Sequence, residues 1–321
     1  MNFLDWILTP FTFVVSWILW AFHELFTMIG MNADSGVTWT LSIIFLVLLI
    51  RTALIPVFVK QIKAQRAMQA LQPDLRKLQA KYKGKTDQLS RQAMVQEQQA
   101  LFKKHKTNPL SSCLPLLVQM PFFFALFRVL NEASRASENN TGIGALSAAH
   151  IRSFDDSSIF GAPLSETFLG TINSGSVNVA VIVVAVIMIL AMTASQFITQ
   201  RQLMTKNMSA EALQGPFMQQ QKMMLYILPL VFGIGGINFP IGVLIYWTAS
   251  NLWTLGQQFW VIRNNPTPGS EAERDLNARR AAKGLPPVGQ KKNSAPEVTA
   301  VDEQSKGQRQ QPQRKNRRKK K

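Results

Sequence analysis

Acidic side chains are missing from the five long apolar runs that follow residue 36 of this chain. The runs 37–59, 110–130, 177–199, 223–237 and 240–262 contain no Asp or Glu, in a sequence of 321 residues with only 18 of them. An intramembrane salt bridge therefore has no anionic partner to draw on. Cysteine is almost as scarce: Cys113 stands alone, which excludes an internal disulfide and fits packing at the start of an apolar run. The three histidines are scattered, with no familiar zinc spacing. No Gly-rich loop followed by Lys-Ser/Thr is present, nor a G-x-S-x-G or an H-E-x-x-H, so nucleotide-driven and hydrolytic chemistry have no motif to rest on. The N-terminus lacks the basic n-region and small-residue cleavage site of a signal peptide. No cofactor or metal is expected, and the chain reads as no enzyme.

What is present is apolar length and positive charge, kept apart from one another. The stretch VTWTLSIIFLVLLIRTALIPVFVK, from Val37 to Lys60, is long enough to cross the roughly 30 Å hydrocarbon core. One cation, Arg51, lies within it. Counted from Lys60 at about 1.5 Å per residue, Arg51 is about 13 Å inside, far for snorkelling. An arginine at such depth costs somewhere between about 3 and more than 10 kcal/mol. With no carboxylate in any run, a hydrated cavity open to the cytoplasm is the expected remedy.

Loop charge sets the orientation. The 60–109 segment holds 12 Lys/Arg, the 200–222 segment 3 and the tail from Arg263 another 16, against Arg128, Arg135 and Arg152 on the other side. By the positive-inside rule the basic side and the C-terminus are cytoplasmic. The expected architecture is an all-α polytopic membrane protein. Residues 1–36 form an N-terminal helix and external linker, 37–264 a core, and 265–321 a basic, disordered cytoplasmic tail ending in KNRRKKK. The core has spans at about 37–59, 110–130, 177–199, 223–237 and 240–262, a cytoplasmic hairpin at 60–109 and an external loop at 131–176.

Within 3–29, Thr9, Thr12, Ser16, His23 and Thr27 recur at mostly helical spacing opposite Phe13, Trp17 and Leu25. Such a helix lies in the outer interface, with a spanning helix as the alternative. In the basic loop, Pro73 permits a helix start, Gly84 a turn and Thr86 an N-cap for a helix to Lys104, together an antiparallel hairpin. Its twelve basic against three acidic residues suit lipid headgroups or RNA.

Helical rise places further polar groups in the inner half: Gln119 about 13 Å in, Gln196 about 7 Å and Asn251 about 18 Å. With Arg51 they outline a polar groove, although each alone is ordinary interhelical glue.

Three stretches carry a resemblance: IRTALIPVFVKQIKAQRAMQALQP at 50–73, KTNPLSSCLPLLVQMPFFFALF at 106–127 and FPIGVLIYWTASNLWTLGQQ at 239–258. They are similar, in order, to the YidC/Oxa/Alb family of membrane protein insertases, and the basic tail resembles its actinobacterial branch. The resemblance implies a five-span helical core with a cytoplasmic helical hairpin and an amphipathic external helix, in a bacterial plasma membrane. It implies a hydrated groove holding Arg51, with Gln196 (Gln200 competing) and Trp247 as the third- and fifth-span positions. It further implies insertion of nascent membrane proteins, alone or with the Sec translocon. The ribosome and anionic lipids are the expected partners of the basic tail and cytoplasmic loops. A small-anion transporter using Arg51 is the rival reading, disfavoured because no internal repeat is visible.

Overall fold

The computed structural model describes residues 3–105, 107–108, 114–208 and 216–288. Among these it is almost wholly helical, with one two-stranded hairpin. The core is built from α1 (Phe3–Met28), α2 (Gly36–Ala53), α6 (Leu114–Asn131), α10 (Val179–Lys206) and α12 (Ile241–Asn264), with α11 (Pro216–Gly236) packed on α10. Trp39, Ile43 and Leu46 of α2 meet Val15 and Leu19 of α1, Leu126 and Leu130 of α6, Val181 of α10 and Ile241 and Leu244 of α12 in one buried cluster. Three described helices are long and apolar enough to cross a membrane: Trp6–Met28, Gly36–Ala53 and Val179–Lys206. The 24-residue α12 is long enough but carries polar residues that lower its hydropathy.

The expected single helix from Val37 to Lys60 is divided. α2 is capped by Ser35, whose side chain accepts from the Val37 amide, and ends at Leu54. A new helix, α3 (Ile55–Ala70), begins immediately. Pro56 explains the break: it has no N–H to give, and its ring opposes the carbonyl four residues back, which suits the first turn of a helix and no later one. Arg51 consequently sits in the last turn of α2.

The basic loop forms the expected hairpin. α4 (Gln72–Tyr82) starts at Pro73, Gly84 takes φ +83, and α5 (Gln88–Lys104) returns. The N-cap is Asp87, not Thr86; its carboxylate accepts from the Ser90 amide. A carboxylate at a helix N-terminus gains from the exposed amides and the dipole, which favours Asp over the neighbouring threonine. Lys81 Nζ and Tyr82 OH both donate to Glu97 Oε1, at 2.5 and 2.9 Å, tying the two helices antiparallel.

The 131–176 segment, nearly silent as sequence, is densely organised. It folds into α7 (Ala133–Glu138), α8 (Ala148–Asp156), strands β1 (Ser158–Ile159) and β2 (Ala162–Pro163), and α9 (Phe168–Asn173). This module covers the helix ends beneath it. The first amides of α12, which have no intrahelical acceptor, donate to Glu166 (Ile241, 3.0 Å) and Leu164 (Gly242, 2.8 Å) carbonyls. Gly36 opens α2 directly against β1: a Cβ there would lie 2.0 Å from the Ser158 carbonyl oxygen, so only glycine fits.

One boundary departs from the sequence reading. Residues 265–288 are not a disordered tail. They carry α13 (Glu271–Ala281), with Ser270 accepting from the Glu273 amide and Glu273 Oε2 accepting from the Gly269 amide, a capping arrangement written in the sequence as S-E-A-E. The helix docks on the end of α10 through Lys206–Glu271 at 2.5 Å and Thr267 N to Asn207 Oδ1 at 2.9 Å. Residues 289–321, Cys113 and the start of the second apolar run (110–113) lie outside the described residues.

Candidate functional site

Arg51 leaves the last turn of α2 and crosses to α12, where its guanidinium donates to Ser250 Oγ. It also stands 5.6 Å from the centroid of the Phe58 ring on α3. Among the described residues no carboxylate pairs with it. The arginine is not partnerless: a hydroxyl 199 positions away receives it. Four residues before Ser250, one helical turn, Tyr246 accepts from Gln119 Nε2 of α6 at 2.9 Å. Arg51, Gln119, Tyr246 and Ser250 thus form one polar seam joining α2, α6 and α12.

Two of these four were missed by reading the sequence. Tyr246 and Ser250 belong to a stripe continued by Thr254 and Gln257, at helical spacing along α12. The neighbouring stripe, Trp247 and Asn251, was chosen instead, and it turns about 100° away, toward α10 and α11. Trp247 lies in an aromatic cluster with Phe232 (4.8 Å between centroids), Phe123 (5.2 Å) and Phe239 (5.5 Å). Asn251 Nδ2 donates to the Met192 carbonyl of α10 at 3.4 Å. Gln196 is one turn further along α10. Arg51 and Gln119 are therefore joined to one stripe of α12; Trp247 and Asn251 lie on its adjacent face, and Gln196 lies on α10 one turn beyond the Met192 carbonyl that Asn251 bonds.

Several polar atoms around this core have no partner among the described residues. Gln119 Oε1, Thr193 Oγ1, Gln196 Oε1 and Thr248 Oγ1 are all buried and unmatched. Left dry, each such group costs about 1–3 kcal/mol.

Below the seam, toward the 60–109 hairpin, α3 and α12 part to form a cavity of about 700 Å³. Ile55, Val59, Leu252 and Trp260 give it apolar walls, and Lys63, Gln257 and Asn265 supply polar groups. Ile55, a lining residue, follows Arg51 by four positions, and Leu252 on the opposite wall follows Ser250 by two, so the cavity begins next to the seam, which does not itself line it. The break at Leu54 lets α3 diverge from α2, while Gly256 leaves one wall of the cleft without a side chain.

An all-helical polytopic protein with a charged seam beside a cleft between two helices is the class these features define. The sequence model of the family described as "60Kd inner membrane protein" matches residues 30–268. The chain belongs to that family. Relatives named membrane protein insertase YidC include proteins of Streptomyces avermitilis, 49% identical over 84% of this chain and 62% of the relative, and of Tropheryma whipplei, 42% identical over 97% and 95%. A Bifidobacterium longum relative of the same name is 35% identical over 99% of this chain and 96% of its own length. The chain thus spans 62% of the length of the Streptomyces relative. An experimental structure of an active YidC insertase with its first transmembrane domain resolved aligns at a TM-score of 0.44 and 21% identity, over 81% of this chain and 47% of that one. The relatives and the apolar helices together make this a multi-pass protein of a bacterial membrane. None of the comparisons supports a small-anion transporter.

Proposed function

We propose that this chain is an insertase that helps newly made proteins enter and fold in the plasma membrane, through the cleft headed by Arg51. The observation that carries this reading is a cation hydrogen-bonded to a hydroxyl, with no carboxylate paired to it among the described residues, next in sequence to the residues that line an opening between α3 and α12. A segment crossing hydrocarbon must carry its polar backbone with it, and each unsatisfied group costs several kcal/mol. A wet recess reaching partway across shortens that path. Water entering from the cytoplasm completes the hydrogen bonds of the unmatched Gln and Thr atoms, and Arg51 attracts acidic side chains of the passing segment. The apolar part of the substrate leaves sideways along Leu252, Phe259 and Trp260, which are exposed on α12. No nucleotide takes part, since burial of the substrate's apolar span in lipid supplies the driving force.

In this reading the hairpin, the seam's open end and the C-terminus face the cytoplasm, as the 31 Lys/Arg on that side against 3 require. The 131–176 module faces outward. Helix α1 lies across the outer surface: Ser16 accepts from the Ala145 amide and Glu24 meets His150, so contacts with the outer module extend over a large part of its length. Its polar stripe faces protein, with Thr12, Ser16 and His23 buried, and Phe13, Trp17 and Leu25 are exposed to lipid. A cysteine at position 2 in a Cys113→Ser background is expected to react with an impermeant thiol reagent added outside. Labelling only after the membrane is opened would make α1 a spanning helix. The basic hairpin and the tail beyond α13 are the surfaces for the ribosome and anionic lipid, and the Sec translocon is a further partner.

The function is tested with purified protein in liposomes and a short substrate made in a cell-free system. Protease-protected substrate that depends on the chain supports the reading. Flux of a small anion without protected substrate refutes it.

A further inference from the structure

We propose that His23, Glu24 and His150 form a binding site for a divalent transition metal of the zinc class, linking α1 to α8. The sequence holds three histidines, and the fold brings two of them, His23 and His150, together across 127 positions. One ligand atom of each of His23, Glu24 and His150 lies within 4.8 Å of the other two. Glu24 Oε1 is 2.9 Å from His150 Nε2 and 4.0 Å from His23 Nδ1. These separations bracket the value of about 3.4 Å between ligand atoms of a tetrahedral ion with bonds near 2.0–2.1 Å.

The state of His23 is what points to a cation. Its Nε2 lies 2.9 Å from the Ala33 carbonyl, an acceptor only, so Nε2 must carry the proton. In the neutral ring Nδ1 then presents a bare lone pair. That atom is buried, in a residue only 2% exposed, and has no hydrogen-bond partner. The nearest charged atom it faces is a carboxylate oxygen, another acceptor. Two acceptors directed at one point are satisfied by a shared proton or a shared metal ion, and a second imidazole at that point favours the metal. The ring is held by stacking on Trp39, 3.9 Å between centroids, with the backbone carbonyl fixing its tautomer, as supported metal-binding histidines are.

His150 is equipped for the same role. Its Nδ1 is 2.6 Å from Ser147 Oγ, a hydroxyl that accepts as readily as it donates. Moving the ring proton to Nδ1 therefore keeps that hydrogen bond and frees Nε2 for the ion. Two imidazoles and one carboxylate are a zinc-type donor set, with water as a fourth ligand. Solvent reaches the site past the partly exposed Glu24 and His150 side chains.

The test uses the full chain in detergent, stripped with a chelator and titrated with zinc chloride against a chromophoric competitor. One saturable zinc per chain is expected. Glu24→Gln and His150→Ala, both at partly exposed positions, should each weaken it at least about tenfold, the lower end of the loss found even for groups that only support metal ligands. His105→Ala should leave it unchanged. X-ray absorption should report two imidazoles on the bound zinc. Absence of saturable binding, or binding that persists undiminished in both ligand variants, overturns the assignment.

Discussion

The two halves of α12 live in different surroundings, and the contrast explains how the molecule is built. From Ile241 to Tyr246 every side chain is buried beneath the 131–176 module and against α2 and α6. From Leu252 onward the same helix shows Leu252, Phe259 and Trp260 to the outside and walls a cavity. The covered half has its terminal amides matched and its approaches close, with a Cβ at Gly242 only 3.1 Å from the Phe154 ring. Between the two halves lie Ser250, which receives Arg51 of α2, and Thr248, whose hydroxyl has no partner among the described residues. Rigidity at one end lets the other remain open without the bundle loosening.

Substitutions should therefore act unequally at the two ends. Trp39, fully buried between α1 and α8, also donates its indole N–H to Ser153 at 3.1 Å. Trp39→Ala should cost about 3–5 kcal/mol, read as a lowered unfolding temperature in detergent. Ser250→Ala removes the hydroxyl that Arg51 donates to. In a dry site the loss of a hydrogen bond to a charged group costs about 1.5–3 kcal/mol, whereas in a wet cleft water replaces it. A change under about 0.5 kcal/mol is expected, and a loss near the dry value would mean that the seam is sealed.

The smallest effect belongs to the hairpin. The hydrogen bonds from Lys81 and Tyr82 hold the Glu97 carboxyl below its ordinary value of 4.5. A lowered carboxyl pKa stabilises the fold above the ordinary value and ceases to do so as pH falls through the lowered one. Amide exchange in α4 and α5 should thus quicken only in acid below 4.5, and Glu97→Gln should produce the same change at neutral pH.

Much of the covered half could not be read from the sequence. Its links join residues such as Ser16 and Ala145, or Leu164 and Gly242, that carry no local signal of one another. The seam was more legible, because an arginine in an apolar run without carboxylates stands out against the cost of placing it there. Its partner was not, since a serine on an apolar helix is common interhelical glue. Where local chemistry decided, the signals were present: Pro56 for the division of α2 from α3, Asp87 for the start of α5, and S-E-A-E for α13. The last was obscured by the charge of the surrounding tail. Sequence spacing could not reveal the histidine cluster, because its members approach only when α8 folds onto α1.

The central claim is that Arg51 attracts the passing substrate instead of holding the bundle together. It is tested by comparing Arg51→Ala and Arg51→Lys with the unaltered protein, using two substrates whose translocated segments are acidic or neutral and scoring protease-protected product. Arg51→Ala should accumulate normally, since removing a cation without a carboxylate partner relieves its desolvation. It should lose insertion of the acidic substrate and largely keep the neutral one, with Arg51→Lys in between. Normal insertion of the acidic substrate by well-folded Arg51→Ala would contradict the account.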